Sequence, residues 1–172
     1  CWSNVTKTLN STPNCLVRWK VEANDASNNW ASSSEYSFYT SNTPPPKPVI
    51  SEPQNNTWFN KYDPSITINC TNTTPDADGD SLTFNVEEKK EGSNWKTICS
   101  NSDGICTWYL SGVSDGNHYL RCKAYDGFEY GNYSDYVIVK IDRTPPNCIL
   151  NISNITSSPY LLKGNYTDNF SG

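Results

Sequence analysis

The sequence predicts an all-β protein made of β-sandwich modules in tandem, one complete and two partial. Three observations carry this. Ile66, Ile68 and Cys70 alternate with Thr67 and Asn69, and Leu120, Cys122 and Ala124 alternate with Arg121 and Lys123, the period-two pattern of half-buried strands. Both cysteines fall on inward faces, and the length between them suits strands in opposite sheets bridged by a disulfide through the core. Eleven prolines, nine glycines, six tryptophans and eleven tyrosines favour strands and turns, and no window sustains an apolar repeat at helical spacing.

Residues 1–42 read as the closing part of a module. Trp19, Val21 and Ala23 alternate with Lys20 and Glu22, and after a polar turn Tyr36 and Phe38 face one way, which predicts a pair of strands. Aligned on Asp25 and Asp126, WKVEAND overlays LRCKAYD, so the pair corresponds to the last strands of the middle module. Two such strands alone leave Trp19 and Phe38 without a core. The run TSNTPPPKP then forms a stiff, extended connector and a domain boundary.

Residues 43–142 read as the complete module. KPVISEP supplies the first strand, SITINC the second, and SLTFNVEE the third, with Leu82, Phe84 and Val86 inward. WKTICSNSDGICTWYL predicts a hairpin whose neck is closed by Cys99 and Cys106, with the S-D-G turn inside it. HYLRCKAYD and SDYVIVKID complete the sheet. Some seven short strands in this span give the strand count of an immunoglobulin-like sandwich.

After DRTPP, residues 143–172 show two strand-like runs and a polar turn, the opening part of another module.

The net charge of −5 and the lack of a basic stripe argue against a nucleic-acid partner. Seven cysteines with one histidine and no C-x-x-C read as a disulfide framework in an oxidising compartment, so extracellular or at the cell surface. Cys70–Cys122 and Cys99–Cys106 are the expected bridges. Cys1 and Cys15 are positioned to close a loop between them, which leaves Cys148 odd, the mark of an intermolecular bond or of a partner outside the sequence. The sequence holds no transmembrane run, no signal peptide and no initiator methionine, as expected of a mature product or an internal piece of a longer chain; a lipidated amino-terminal cysteine is an alternative.

Asparagine occurs 22 times, and ten stand in N-x-S/T acceptor sites: Asn4, Asn10, Asn55, Asn69, Asn72, Asn132, Asn151, Asn154, Asn165 and Asn169. The reading is a surface coated with N-linked glycans, with Asn69 and Asn72 pointing outward; an Asn-, Ser- and Thr-rich surface of purely compositional origin is the alternative. Asp76, Asp78 and Asp80 in PDADGD offer hard oxygen ligands at alternate positions around a glycine turn, as calcium prefers. No glutamate follows at the twelfth position, so the loop is not an EF-hand, and a solvated Asp-Gly turn competes with the calcium reading. No other cofactor is expected. His118 has no paired nucleophile and is expected on the strand surface, and no catalytic constellation appears elsewhere, so the chain is not expected to be an enzyme. Trp2, Trp30, Trp58, Trp95 and Trp108 form either a sugar-stacking platform or, as is commoner, parts of cores and module interfaces.

TPPNCILN, YTDNFSG, CWSN and VEANDASNNWASSS resemble the tandem immunoglobulin-like repeats of prokaryotic, especially archaeal, cell-surface proteins. Asn28 and Asn29 stand where that family has Gly-Asn in the turn before the last strand. The middle module, with DADGDSLTF and KAYDG, is similar to the fibronectin type III-like modules of the same proteins, with Phe84 where immunoglobulin domains carry a core tryptophan. Joining residues 143–172 of one copy to residues 1–42 of the next would make one further module. The resulting expectation is a structural subunit or repeat of an extracellular glycosylated filament or cell-surface adhesin, assembled head-to-tail with neighbouring copies. Surface glycans or other cells are its further expected partners. The runner-up is a carbohydrate-binding or spacer module of a secreted multidomain protein.

Overall fold

The computed structural model describes residues 6–9, 12–13, 15–150 and 164–167. Every regular element among them is a strand. In chain order these are β1 (Leu16–Trp19), β2 (Glu22–Asn24), β3 (Trp30–Ser32), β4 (Tyr36–Tyr39), β5 (Val49–Glu52), β6 (Thr57–Asn60), β7 (Ser65–Thr71), β8 (Thr83–Lys90), β9 (Lys96–Ser102), β10 (Ile105–Tyr109), β11 (Gly116–Tyr125), β12 (Val137–Asp142), β13 (Asn147–Leu150) and β14 (Gly164–Thr167).

Strands β5 to β12 form one immunoglobulin-like sandwich. A three-stranded sheet in the order β10-β7-β5 faces a five-stranded sheet in the order β6-β12-β11-β8-β9. Alternation decides which side chains meet between them: Ile66, Ile68 and Cys70 from β7, Cys106 and Trp108 from β10, Phe84 and Val86 from β8, Leu120, Cys122 and Ala124 from β11, and Val139 and Ile141 from β12, with Leu110 beyond β10, are all buried. The Cys70–Cys122 disulfide joins the two sheets through this core, as the spacing predicted.

The strand and core assignments of the complete module depart from the sequence reading in three places. First, TWFN forms β6, which pairs in parallel with β12 and carries Phe59 to the core, so the chain enters the three-stranded sheet as β5 and then changes sheet. Second, β9 and β10 are not a hydrogen-bonded hairpin: β9 pairs with β8 and β10 with β7, so the Cys99–Cys106 disulfide links the two sheets at their edge. Gly104 makes this crossing possible. Its φ is +110°, a Cβ there would stand 2.6 Å from the Cys70 carbonyl oxygen, and its own carbonyl accepts the Cys70 N–H at 2.7 Å. Third, His118 is a core residue at 3% exposure, its ring nitrogens 2.7 Å from Glu88 Oε1 and 2.9 Å from the Ser114 carbonyl oxygen. Its ring lies against Trp108. A polar ring with both nitrogens satisfied is tolerated in a core.

Residues 15–39 fold back as a hairpin in two ladders, β1 with β4 and β2 with β3. At its tip Asp25 Oδ1 accepts the N–H groups of Ser27 and Asn29, and Asn28 takes φ +66°, the left-handed conformation that glycine would fill most readily. In the complete module Asp126 Oδ1 accepts the N–H groups of Phe128 and Glu129 at the matching turn, followed by Gly127 at φ +100° within it. The two turns differ in detail, but the Val21 N–H donates to Ser33 Oγ and the Ser33 N–H to the Val21 carbonyl just as Cys122 and Ser134 do, so the overlay on Asp25 and Asp126 is structural as well as sequential. At the other end β13 and β14 pair antiparallel, Asn147 opposite Thr167.

Candidate functional site

Two features among the described residues stand out beyond the folded core. One is the face of the first hairpin; the other is the carboxylate-rich junction between that hairpin and the complete module.

The β1–β4 register sets Val17 opposite Phe38 and Trp19 opposite Tyr36, so these four side chains share one face. The Trp19 and Tyr36 rings stack at 4.8 Å. Yet Trp19 is 49% and Phe38 45% exposed, against the complete burial of Leu120 in β11. Large apolar side chains gathered on one strand face and left in solvent mark an interaction surface.

The connector between hairpin and module is held down along its length. Pro45 and Pro48 are buried, and a Cβ on Gly131 would lie 2.3 Å from the Pro45 carbonyl oxygen, so glycine lets the two backbones approach. Asn72 donates from Nδ2 to the Pro46 carbonyl at 3.2 Å. Asn42 donates to Asp126 Oδ2 at 2.8 Å and to Glu129 Oε1 at 2.9 Å, and the Thr43 N–H reaches Asp78 Oδ2 at 2.6 Å.

These contacts border the predicted acidic loop. Asp76, Asp78 and Asp80 each bring a carboxylate oxygen within 4.8 Å of the others. Asp76 Oδ1 accepts the N–H groups of Asp78 and Asp80, which curls the loop, while its Oδ2 is buried without a hydrogen-bond partner. Loss of solvation, then repulsion from Asp76, Asp126 and Asp78, pushes the Asp80 carboxyl above its usual range. Asp126 is moved the other way. Its desolvation acts upward, but hydrogen bonds from the Asn42 side chain and from the Glu129 and Phe128 amides together outweigh it.

The remaining predicted residues do not converge. Trp108 is buried in the core, Trp95 lies under the Arg121 guanidinium at 4.0 Å, Trp58 is on β6 with Lys140 over its ring at 5.0 Å, and Trp30 is exposed on β3. These four tryptophans therefore make no common platform, and Trp2 lies outside the described residues. Arg121 is instead the centre of an outer-face cluster that no sequence reading singled out. It sits 3.7 Å from the Tyr133 ring centroid and donates from Nε and Nη2 to Glu87 Oε2, while the Tyr133 hydroxyl donates to Glu87 Oε1. The outward position of Arg121 between Leu120 and Cys122 was its one sequence signal.

Among the acceptor asparagines, Asn55, Asn69 and Asn132 are exposed. Asn72, expected to point outward, is half buried with its Nδ2 engaged by Pro46. The side chains of Asn4, Asn10, Asn151, Asn154, Asn165 and Asn169 lie outside the described residues. Cys15 is an exposed free thiol, so the expected Cys1–Cys15 bridge is not formed; its residue is tied by backbone contacts to Thr40 at the open end of the hairpin. Cys1 and the Cys148 side chain lie outside the described residues.

No protein-family model matches the chain, and no curated protein does. Among solved structures it is similar to the FN1–FN3 domains of chicken CNTN1, at 13% identity and a TM-score of 0.45 over 81% of this chain and 49% of that one. It is similar to fibronectin(III)-like modules of Clostridium thermocellum CbhA, at 15% identity and a TM-score of 0.41 over 57% of this chain and 98% of that one. A third likeness is to the endo-beta-1,4-mannanase of Thermotoga petrophila, at 12% identity and a TM-score of 0.39 over 57% of this chain and 20% of that one. The chain thus spans about half the length of the CNTN1 structure, and the assignment of an immunoglobulin-like sandwich rests on its sheet order and inter-sheet disulfide.

Proposed function

We propose that this chain is a structural, non-enzymatic length of an extracellular filament or cell-surface adhesin, in which immunoglobulin-like modules follow one another head-to-tail. The observation that carries the reading is the face of Val17, Trp19, Tyr36 and Phe38, the last three exposed, on a hairpin whose Val21–Ser33 bonding repeats Cys122–Ser134 of the complete module. Such a hairpin is the closing part of a sandwich and needs an opening part over its apolar face. β13 and β14, which pair antiparallel after the Thr144-Pro145-Pro146 junction, are read as such an opening part. The occupant assigned to the face is therefore residues 143–172 of a neighbouring copy. A contact that joins one end of a molecule to the other end of the next does not close on itself and propagates into a linear polymer.

Two disulfides support an oxidising, extracellular setting, and no described helix is long and apolar enough to cross a membrane. The exposed Asn55, Asn69 and Asn132 suit glycan attachment along the shaft. The test is the mass of the purified full chain in solution across a concentration series. Concentration-dependent multiples of 19.3 kDa support the reading, and a monomer at every concentration overturns it.

A further inference from the structure

We propose that the junction between the first hairpin and the complete module is a calcium site: Asp76, Asp78 and Asp80 supply carboxylate oxygens, and Asn42 Oδ1, from the connector, supplies a neutral one. A bound ion would then fasten the connector to the module and set the direction in which the hairpin leaves it. The site stands whether or not copies assemble.

The orphaned atoms are the first ground. Asp76 is only 7% exposed, and its Oδ2, Asp80 Oδ2 and Asn42 Oδ1 are all buried without a hydrogen-bond partner. Buried anionic oxygens are seldom left so, because the lost hydration is not replaced. Each is an acceptor: the Asp76 and Asp80 carboxylates belong to a cluster whose oxygens lie within 4.8 Å of one another, and the connector that carries Asn42 is bonded to the same cluster through the Thr43 N–H on Asp78.

The charge balance is the second. Asp76, Asp78, Asp80, Asp126 and Glu129 are gathered around Asn42 and Thr43, and the salt bridges among the described residues all lie elsewhere. Among the described residues no lysine or arginine forms a salt bridge with the loop. The connector is meanwhile drawn in by side chains that leave the orphaned oxygens free: Asn42 uses its Nδ2 on Asp126 and Glu129, and Asp78 uses Oδ2 on the Thr43 N–H.

Ligand chemistry selects the ion. All donors are hard oxygens, with no histidine or cysteine among them, which disfavours zinc and copper. Three loop carboxylates, an amide oxygen and completing waters fit the flexible coordination of calcium, whereas magnesium demands strict octahedral geometry and is usually held with substrate phosphates.

The experiment is calcium titration of the EDTA-stripped full chain, followed by calorimetry and thermal unfolding, with magnesium in parallel. Extracellular calcium modules bind in the range of about 10⁻⁴–10⁻³ M, so about 10 mM CaCl2 should saturate the site and raise the unfolding temperature by about 5–10 °C. Asp78→Asn and Asp80→Asn should each weaken binding by about tenfold or more while the protein still folds. Asn42→Ala should weaken it less and leave the connector as open to protease with calcium as without. Absence of binding heat and of any thermal shift in the wild-type chain overturns the proposal, as does calcium affinity unchanged in both aspartate variants. Wild-type affinity in Asn42→Ala overturns the role of the connector.

Discussion

Trp19 stacks on Tyr36 at 4.8 Å across the first hairpin, and both rings remain about half in solvent. In the complete module the corresponding pair is Leu120 on β11 and Val137 on β12, of which Leu120 is fully buried and Val137 packs against the core. The Trp19–Tyr36 pair thus has the chemistry of a core and the exposure of a surface. Trp19→Asp or Phe38→Asp should abolish association of the chain, since a charge on the face cannot be buried without a partner. Unfolding of the complete module should be unchanged, which separates lost assembly from lost folding. Light scattering and thermal unfolding of the same samples read both.

The two disulfides should differ in weight. Cys70–Cys122 spans 52 residues and Cys99–Cys106 only 7. In the chain-entropy account the longer loop restrains the unfolded chain by about 2 kcal/mol more. Replacing Cys70 and Cys122 together by alanine should therefore cost about 2 kcal/mol more than replacing Cys99 and Cys106, as measured by denaturant unfolding.

Acid should act on the junction in two opposed ways. Asp126 is held below its usual range, so its contribution is present above its unfolded pKa and is lost as pH falls through the lower folded value. Asp80 is pushed up, so its charged form is penalised in the fold; stability falls as pH rises from its unfolded value through the higher folded one. Asp80→Asn should accordingly stabilise the chain at neutral pH in EDTA, and that gain should vanish at low pH. Thermal unfolding across pH with and without the substitution measures it.

Glycan occupancy should follow accessibility and not the acceptor motif alone. Asn69 and Asn132 are exposed, whereas Asn72 is half buried with its Nδ2 given to Pro46. Glycopeptide mapping of the native protein should find sugar on Asn69 and Asn132 and none on Asn72.

Much of the sandwich was legible because alternation is a local signal. The runs around Cys70 and Cys122 carry four or more residues of strict period two, and the burial in β7 and β11 follows it residue by residue. β6 was hidden because Trp58 and Phe59 are adjacent, with no alternation, and because its partner β12 lies far along the chain. The β9–β10 crossing was misread because a Ser-Asp-Gly turn is the same signal whether the chain returns to its own sheet or steps to the facing one; only the approach of Gly104 to Cys70 decides it. His118 was assigned to the surface by its polarity, although the parity of β11 puts it on the same side as Leu120 and Cys122. Of the acidic loop, the three aspartates could be read and Asn42 could not, since nothing in the connector indicates where it docks.

Electron microscopy of the native material addresses head-to-tail assembly most directly. The account predicts unbranched filaments that repeat at about two module lengths and that disappear with Trp19→Asp. Isolated particles of single-chain size, unaltered by that substitution, would contradict it.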